Sequence, residues 1–209
     1  SAGLDFETKI FVKQDAPELL RKALMSRRWE PQTIAISGIT DCYQPGERKL
    51  KVTRGVLEVL AEFRNPVSII TKNHLLTRDF DVLAELASHG AAAVHLSVTT
   101  LDPELQRVME PRTSTPQRRL DALRTLSEAG IPVGVMIAPV VPGLTDHEIP
   151  AILAAIKEAG ATSVGFVPLR LPYGVKDLFE QWLEMHFPDR KEKVLNRLRS
   201  MHGGKLYES

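Results

Sequence analysis

Apolar residues along this chain fall into two patterns, and the patterns alternate. Short, largely apolar runs occur at Ile34, Ala35 and Ile36, at 67–72 (VSIITK), 92–100 (AAVHLSVTT), 132–139 (PVGVMIAP) and 162–171 (TSVGFVPLRL); each reads as a buried strand. A further run at 7–13 (ETKIFVK) reads as a short strand ahead of these. Between the runs, apolar residues recur every three or four positions, the spacing of one helix face. Leu19, Leu20, Ala23 and Leu24 follow Pro17, with Asp15 or Ala16 as the cap. Leu50, Val52, Val56, Leu57, Leu60 and Phe63 predict a helix over 50–64, closed by Asn65 and Pro66. Phe80, Leu83, Leu86 and Ala87 predict one over 78–88, and Leu120, Leu123 and Leu126 one that starts at a Thr115 cap with Pro116 in its first turn. Helices are also predicted over 146–159, 174–186 and 188–201, and the stretch 101–115 reads as a loop.

Strand and helix thus alternate at intervals of about 30 residues, the length of a strand with its crossover helix. Such a chain builds a parallel sheet with right-handed connections. Five or six units are too few for a closed eightfold barrel, so an open partial barrel or a doubly wound sheet is expected. No Gly/Ser-rich linker interrupts the pattern, which predicts one domain over 1–209 with a helical extension from about 174 to 209. Neither GxGxxG nor a Walker phosphate loop occurs.

Composition narrows the picture only in places. The 209 residues carry a net charge of +1, which supports neither nucleic-acid nor membrane binding by charge alone. No apolar run approaches the roughly 20 residues of a membrane span, and the opening SAGLDFETK does not read as a leader. Cys42 is the single cysteine, which excludes an internal disulfide framework, fits a reducing cytoplasm, and forbids any metal site needing two cysteines from this chain. His74, His89 and His186 lack partners at ligand spacing and read as surface residues, and His95 as a packed one. Arg27–Arg28 and Arg118–Arg119 read as solvated helix faces.

The chemistry-bearing residues gather where strands end. The first run releases Thr40 and Asp41, the second Lys72 and Asn73, and the third Ser97 and Thr99. Glu110 and Arg112 follow, then Pro139 with the turn Pro142–Gly143, then Arg170. In parallel α/β folds these ends share one edge, where sites are built. A carboxylate there suits an α-ammonium, and a lysine or arginine suits an α-carboxylate. Each residue also has a plainer role: Asp41 as a turn former, Lys72 as a solvated cation, Glu110 and Arg112 as a loop ion pair, Cys42 as a small packed residue.

The segments GLDFETKIFVK, ITDCYQPGERKL, SIITKN, LSVTTLD, MEPRTSTPQRRL, GVMIAPVVPGLTDHE and LRLPYGVKDLF together resemble the radical S-adenosylmethionine (SAM) proteins related to spore photoproduct lyase. More narrowly, they resemble an uncharacterised bacterial and archaeal group whose first loop reads TDPYQPxE, with Cys42 where that group has proline. The resemblance implies an open partial (β/α)6 TIM-like barrel with parallel strands, SAM as cofactor, a [4Fe–4S] cluster, and reductive cleavage of SAM to a 5′-deoxyadenosyl radical. It places Thr40 and Asp41 at the SAM amino group, Lys72 at its carboxylate, Ser97 at ribose or carboxylate, and Arg112 as a second carboxylate partner. Ile137, Ala138 and Pro139 would pass the adenine, with Leu169 and Arg170 at its other edge. The CxxxCxxC cluster loop and the first barrel strand of the family are not among these residues. They are expected before GLDFETK, so the chain is expected to be a piece of a longer core, truncated at both ends and inactive alone, with no metal ligand of its own. The catalytic residue and substrate are not assigned. Two other functions remain open: a non-catalytic SAM- or nucleotide-binding or scaffolding module, and a DNA-repair-type lyase acting on nucleic acid.

Overall fold

The computed structural model describes residues 10–37, 40–201 and 203–206. Its centre is a sheet of five parallel strands: β1 (Ile34–Ile36), β2 (Val67–Thr71), β3 (Ala92–Ser97), β4 (Val133–Val140) and β5 (Ser163–Pro168). They lie in the order β1-β2-β3-β4-β5. A sequential order with right-handed crossovers places every connecting helix on one face. A doubly wound sheet would reverse direction partway and use both faces. The chain is therefore a partial barrel wall, and its five apolar runs contain the five strands.

α1 (Ala16–Leu24) precedes β1, and between the strands lie α2 (Glu47–Leu50), α3 (Val52–Glu62), α4 (Phe80–Ser88), α5 (Pro103–Met109), α6 (Pro116–Glu128) and α7 (Ile149–Glu158). Side chains alternate across a strand. Val67, Ile69, Val94, Leu96, Val133, Val135 and Ile137 pack outward against Leu57, Leu60, Leu83, Leu86, Leu123, Leu126, Ile152 and Ile156 of the helices. The pairings Ser68↔Ala93, Ile70↔His95, His95↔Gly134, Ser97↔Met136 and Met136↔Gly165 put small and polar residues, with Ile70 and Met136, on the opposite, inner face. Ile70 there is 39% exposed, so this face is an open groove.

A second apolar cluster caps the carboxyl edge. Leu183 of α8 (Val175–His186) and Val194, Leu195 and Leu198 of α9 (Pro188–Met201) pack with Leu105, Val141, Leu144 and Leu171. The Trp182 indole N–H donates to the Val108 carbonyl at 3.1 Å, fixing α8 over α5.

The structure corrects several expectations. Residues 10–13 form no strand, and 7–9 lie outside the described residues. The stretch read as a loop contains α5, capped by the Asp102 carboxylate on the Glu104 and Leu105 amides. The helix expected over 50–64 is two helices, because Lys51 takes a left-handed φ of 51° between them. β1 and β5 are edge strands: Ala35 is exposed, and Val164 and Phe166 are 50% and 69% exposed. Leu19, Leu50 and Phe80, placed on inward faces by periodicity, are 62%, 44% and 37% exposed. Arg119, read with Arg118 as solvated, is 1% exposed.

Candidate functional site

The carboxyl edge is built by carboxylates that tie one strand end to the next. Asp41 leaves β1 and reaches β2. Its Oδ1 accepts from the Tyr43 amide at 2.8 Å and the Thr71 hydroxyl at 2.7 Å, and its Oδ2 from the Lys72 amide at 2.8 Å. A carboxylate offers about four acceptor sites, so among the described residues one remains, on Oδ2. The loop behind it is anchored deeply. Tyr43 is fully buried, and its hydroxyl donates to Asp79 at 3.1 Å. Arg78 clamps Asp79 and Glu47 together, bonding Asp79 Oδ2 at 2.7 Å, Glu47 Oε1 at 3.1 Å and the Glu47 carbonyl at 2.7 Å.

Glu110 does the same work farther along. Its Oε2 accepts from Arg119 at 2.7 Å, and its Oε1 accepts from the buried Thr99 hydroxyl at 3.0 Å and faces Lys72 Nζ at 3.5 Å. Arg119 also donates to the Ser97 carbonyl at 2.7 Å and the Ser114 carbonyl at 2.8 Å, joining the end of β3 to the start of α6. Glu148 closes the next gap, accepting from the Thr100 hydroxyl at 2.6 Å and the Leu101 amide at 2.8 Å.

At the centre stands the Lys72 ammonium. It donates to the Ala138 carbonyl at 3.2 Å and sits 3.5 Å from Glu110. Both contacts are long beside the roughly 2.7–2.9 Å of a strong charge-assisted bond. Glu110 is shared with Arg119, so it neutralises neither cation fully. Below this rim, Ser97 lies on the inner face, one register row above His95, whose Nδ1 is buried with no partner among the described residues. The site therefore offers an ammonium able to take an incoming carboxylate, a carboxylate with an acceptor position left among the described residues, a backbone carbonyl, and the open inner face at Ile70.

Asp41, Lys72, Ser97 and Ala138 meet at this rim. Thr40 is on the exposed loop before Asp41, and Pro139 is half-buried beside Ala138. Ile137 is 3% exposed and packs in the helix-side core. Leu169 packs against the second cluster and Arg170 is exposed just past β5. Arg112 lines a separate cavity with Arg48 and Arg118. Arg119 and Thr71 were missed as site residues. Arg119 had a signal: it sits four and seven positions before Leu123 and Leu126, on the buried stripe of α6.

Burial pushes the Cys42 thiol up to about 12, beyond thiolate chemistry at neutral pH. Burial, then the Asp79 charge, raises the Tyr43 phenol as well. Burial, then Arg118, holds the His74 imidazole below its usual range. Among the described residues no group of three His, Cys, Asp or Glu is placed to hold a metal ion. No helix there is long and apolar enough to cross a membrane.

Comparison with known proteins agrees with this geometry. The family model described as "Radical SAM superfamily" matches residues 8–156. An uncharacterised protein of Mycobacterium tuberculosis is 36% identical over 202 residues, which are 96% of this chain and 58% of that protein. One of Methanocaldococcus jannaschii is 28% identical over 188 residues, 90% of this chain and 67% of that one. The chain thus spans 58% of the mycobacterial relative's length. Spore photoproduct lyase complexed with dinucleoside spore photoproduct shares the fold with a TM-score of 0.61 at 18% identity, over 87% of this chain and 53% of that one. Streptococcus suis SuiB bound to S-adenosylmethionine does so at 0.56 and 14%, over 83% and 41%. A one-directional parallel wall with its polar groups at the carboxyl edge, matched by the family over residues 8–156, makes this chain a member of the radical SAM superfamily.

Proposed function

We propose that this chain is the SAM-binding core of a radical SAM enzyme, with the methionyl end of SAM at Lys72. The observation that carries the reading is the under-engaged Lys72 ammonium, held among the described residues by contacts of 3.2 and 3.5 Å at the rim of the inner groove. A carboxylate binds such a group more tightly than a carbonyl or a shared glutamate does. Asp41 Oδ2 has an acceptor site left for the SAM ammonium, and Ser97 faces the groove for a ribose or carboxylate contact. Ile70, 39% exposed on the inner face, leaves that face open for the adenosine. The Streptococcus suis protein of the same fold is bound to SAM in its structure, which supports the assignment. Bound SAM supplies the 5′-deoxyadenosyl group for radical chemistry; this chain's residues hold and orient it.

The iron–sulfur cluster implied by the family does not fit the residues present. Three thiolates are the usual protein ligands where SAM takes the fourth iron, and this chain has one cysteine, whose thiol is buried and protonated. The chain is accordingly a binding scaffold, and cluster ligands belong to residues other than these.

The test is calorimetric titration of SAM into the chain. Wild type should bind, and Lys72→Ala should weaken binding at least tenfold, about 1.4 kcal/mol. Lys72→Arg should keep part of the affinity, since a cation remains. Unchanged binding by Lys72→Ala, or no heat from wild type at millimolar SAM, contradicts the assignment.

A further inference from the structure

We infer that Arg119 is a positioning residue for the Lys72 rim: by holding the Glu110 carboxylate back, it keeps the Lys72 ammonium from closing a full ion pair and leaves it competent for an incoming carboxylate. The inference rests on the reading of Lys72 as the group that takes the SAM carboxylate.

Two cations compete for one carboxylate. Arg119 Nη2 bonds Glu110 Oε2 at 2.7 Å, the length of a strong charge-assisted bond, whereas Lys72 Nζ stands 3.5 Å from Oε1. The difference follows from how each partner is held. Arg119 is buried, and all of its guanidinium nitrogens donate: Nε to the Ser114 carbonyl at 2.8 Å, Nη1 to the Ser97 carbonyl at 2.7 Å, and Nη2 to Glu110 and the Thr113 hydroxyl. Glu110 is fixed through its backbone as well. Its amide donates to the Gln106 carbonyl at 2.7 Å, and its carbonyl accepts from Gln106 Nε2 at 2.9 Å and the Thr113 hydroxyl at 2.8 Å. Lys72 is partly exposed and carries its charge on a flexible stem. Of the three groups, only the ammonium is free to move.

Thr99 works in the same direction. Its buried hydroxyl lies 3.0 Å from Glu110 Oε1 and 3.0 Å from the Ala138 carbonyl, the two acceptors that face Lys72. A hydroxyl has one proton and donates to one of them at a time, so it draws acceptor capacity away from the lysine in either orientation. The ammonium is thus placed beside two acceptors that already have other donors. A ligand carboxylate that reaches it breaks no short ion pair. Without the Arg119 charge, Glu110 would have Lys72 as its nearest cation, and the ammonium would close on it.

The experiment runs SAM calorimetry and urea denaturation on the same full-chain variants. Arg119→Gln and Glu110→Gln should both lose stability, because each strands a buried charge. Their SAM affinities should move in opposite directions: about fivefold or more weaker in Arg119→Gln, and about threefold or more tighter in Glu110→Gln, which removes the competing carboxylate. A merely structural role weakens both. Thr99→Val keeps both charges and tests the same idea in a milder variant, with SAM binding expected to weaken about threefold or more. A double-mutant cycle of Lys72→Ala with Glu110→Gln, read by urea without SAM, should show a larger coupling in the Arg119→Gln background than in wild type. If Arg119→Gln does not fold, Thr99→Val serves as that background. Affinity changes of the same sign in the Arg119 and Glu110 variants, wild-type affinity in Thr99→Val, or an unchanged coupling overturns the inference. A raised coupling together with unaltered SAM binding by Lys72→Ala leaves the role of Arg119 standing and removes the SAM assignment alone.

Discussion

Arg118 and Arg119 are adjacent in sequence and opposite in circumstance. Arg118 is exposed, while Arg119 is 1% exposed and bonds two carbonyls, Glu110 and Thr113. Removing a buried cation strands its carboxylate, at a cost of about 3–5 kcal/mol, whereas a surface change stays within about 0.5 kcal/mol. Urea denaturation should therefore show a large loss for Arg119→Ala and almost none for Arg118→Ala. Cys42 makes a second contrast, between apparent reactivity and environment. Its folded thiol titrates near 12 rather than 9, so the fold favours the protonated form. That contribution to stability is complete below pH 9 and is lost as pH rises toward 12. At pH 8 the folded chain should react with a disulfide reagent at least about a hundredfold more slowly than the urea-unfolded chain. Equal rates would show that the thiol is neither buried nor raised.

At the scale of elements, the five strands were legible because each lies in a short apolar run that alternates with a helical pattern. Their exposure was not, since burial depends on what lies beside a strand. Val164 and Phe166 read as core and sit on an open edge. α5 was missed because seven residues show too little periodicity, although Asp102 followed by Pro103 is a helix-start signal. The Asp41 bonds to Thr71 and Lys72 span 30 and 31 positions, and no local pattern reports them. The sheet itself makes a sharp prediction at Gly134. A Cβ there would lie 2.7 Å from the His95 ring and press on Ser163 Oγ, so β3, β4 and β5 approach only because the side chain is absent. Gly134→Ala should cost about 1–3 kcal/mol. Gly174→Ala, with nothing within 4 Å of its added carbon, should change stability by no more than about 1 kcal/mol. Equal denaturation midpoints for the two variants would contradict the packing described.

For the whole molecule, a net charge of +1 conceals a division of labour. Acids of the carboxyl-edge loops act as internal acceptors that lock strand ends together, and the Lys72 ammonium at the rim is held by longer contacts than theirs. That division was invisible in composition, because it depends on which charges face inward. The central claim, that SAM binds at the Lys72 rim, is tested most directly by mapping amide shifts of the isotopically labelled chain during SAM titration. The account predicts saturable shifts concentrated at Asp41, Lys72, Ser97, Thr99 and Ala138, and their disappearance in Lys72→Ala. Shifts that instead centre on the Arg190–Arg197 face of α9, or no shifts at millimolar SAM, would contradict it.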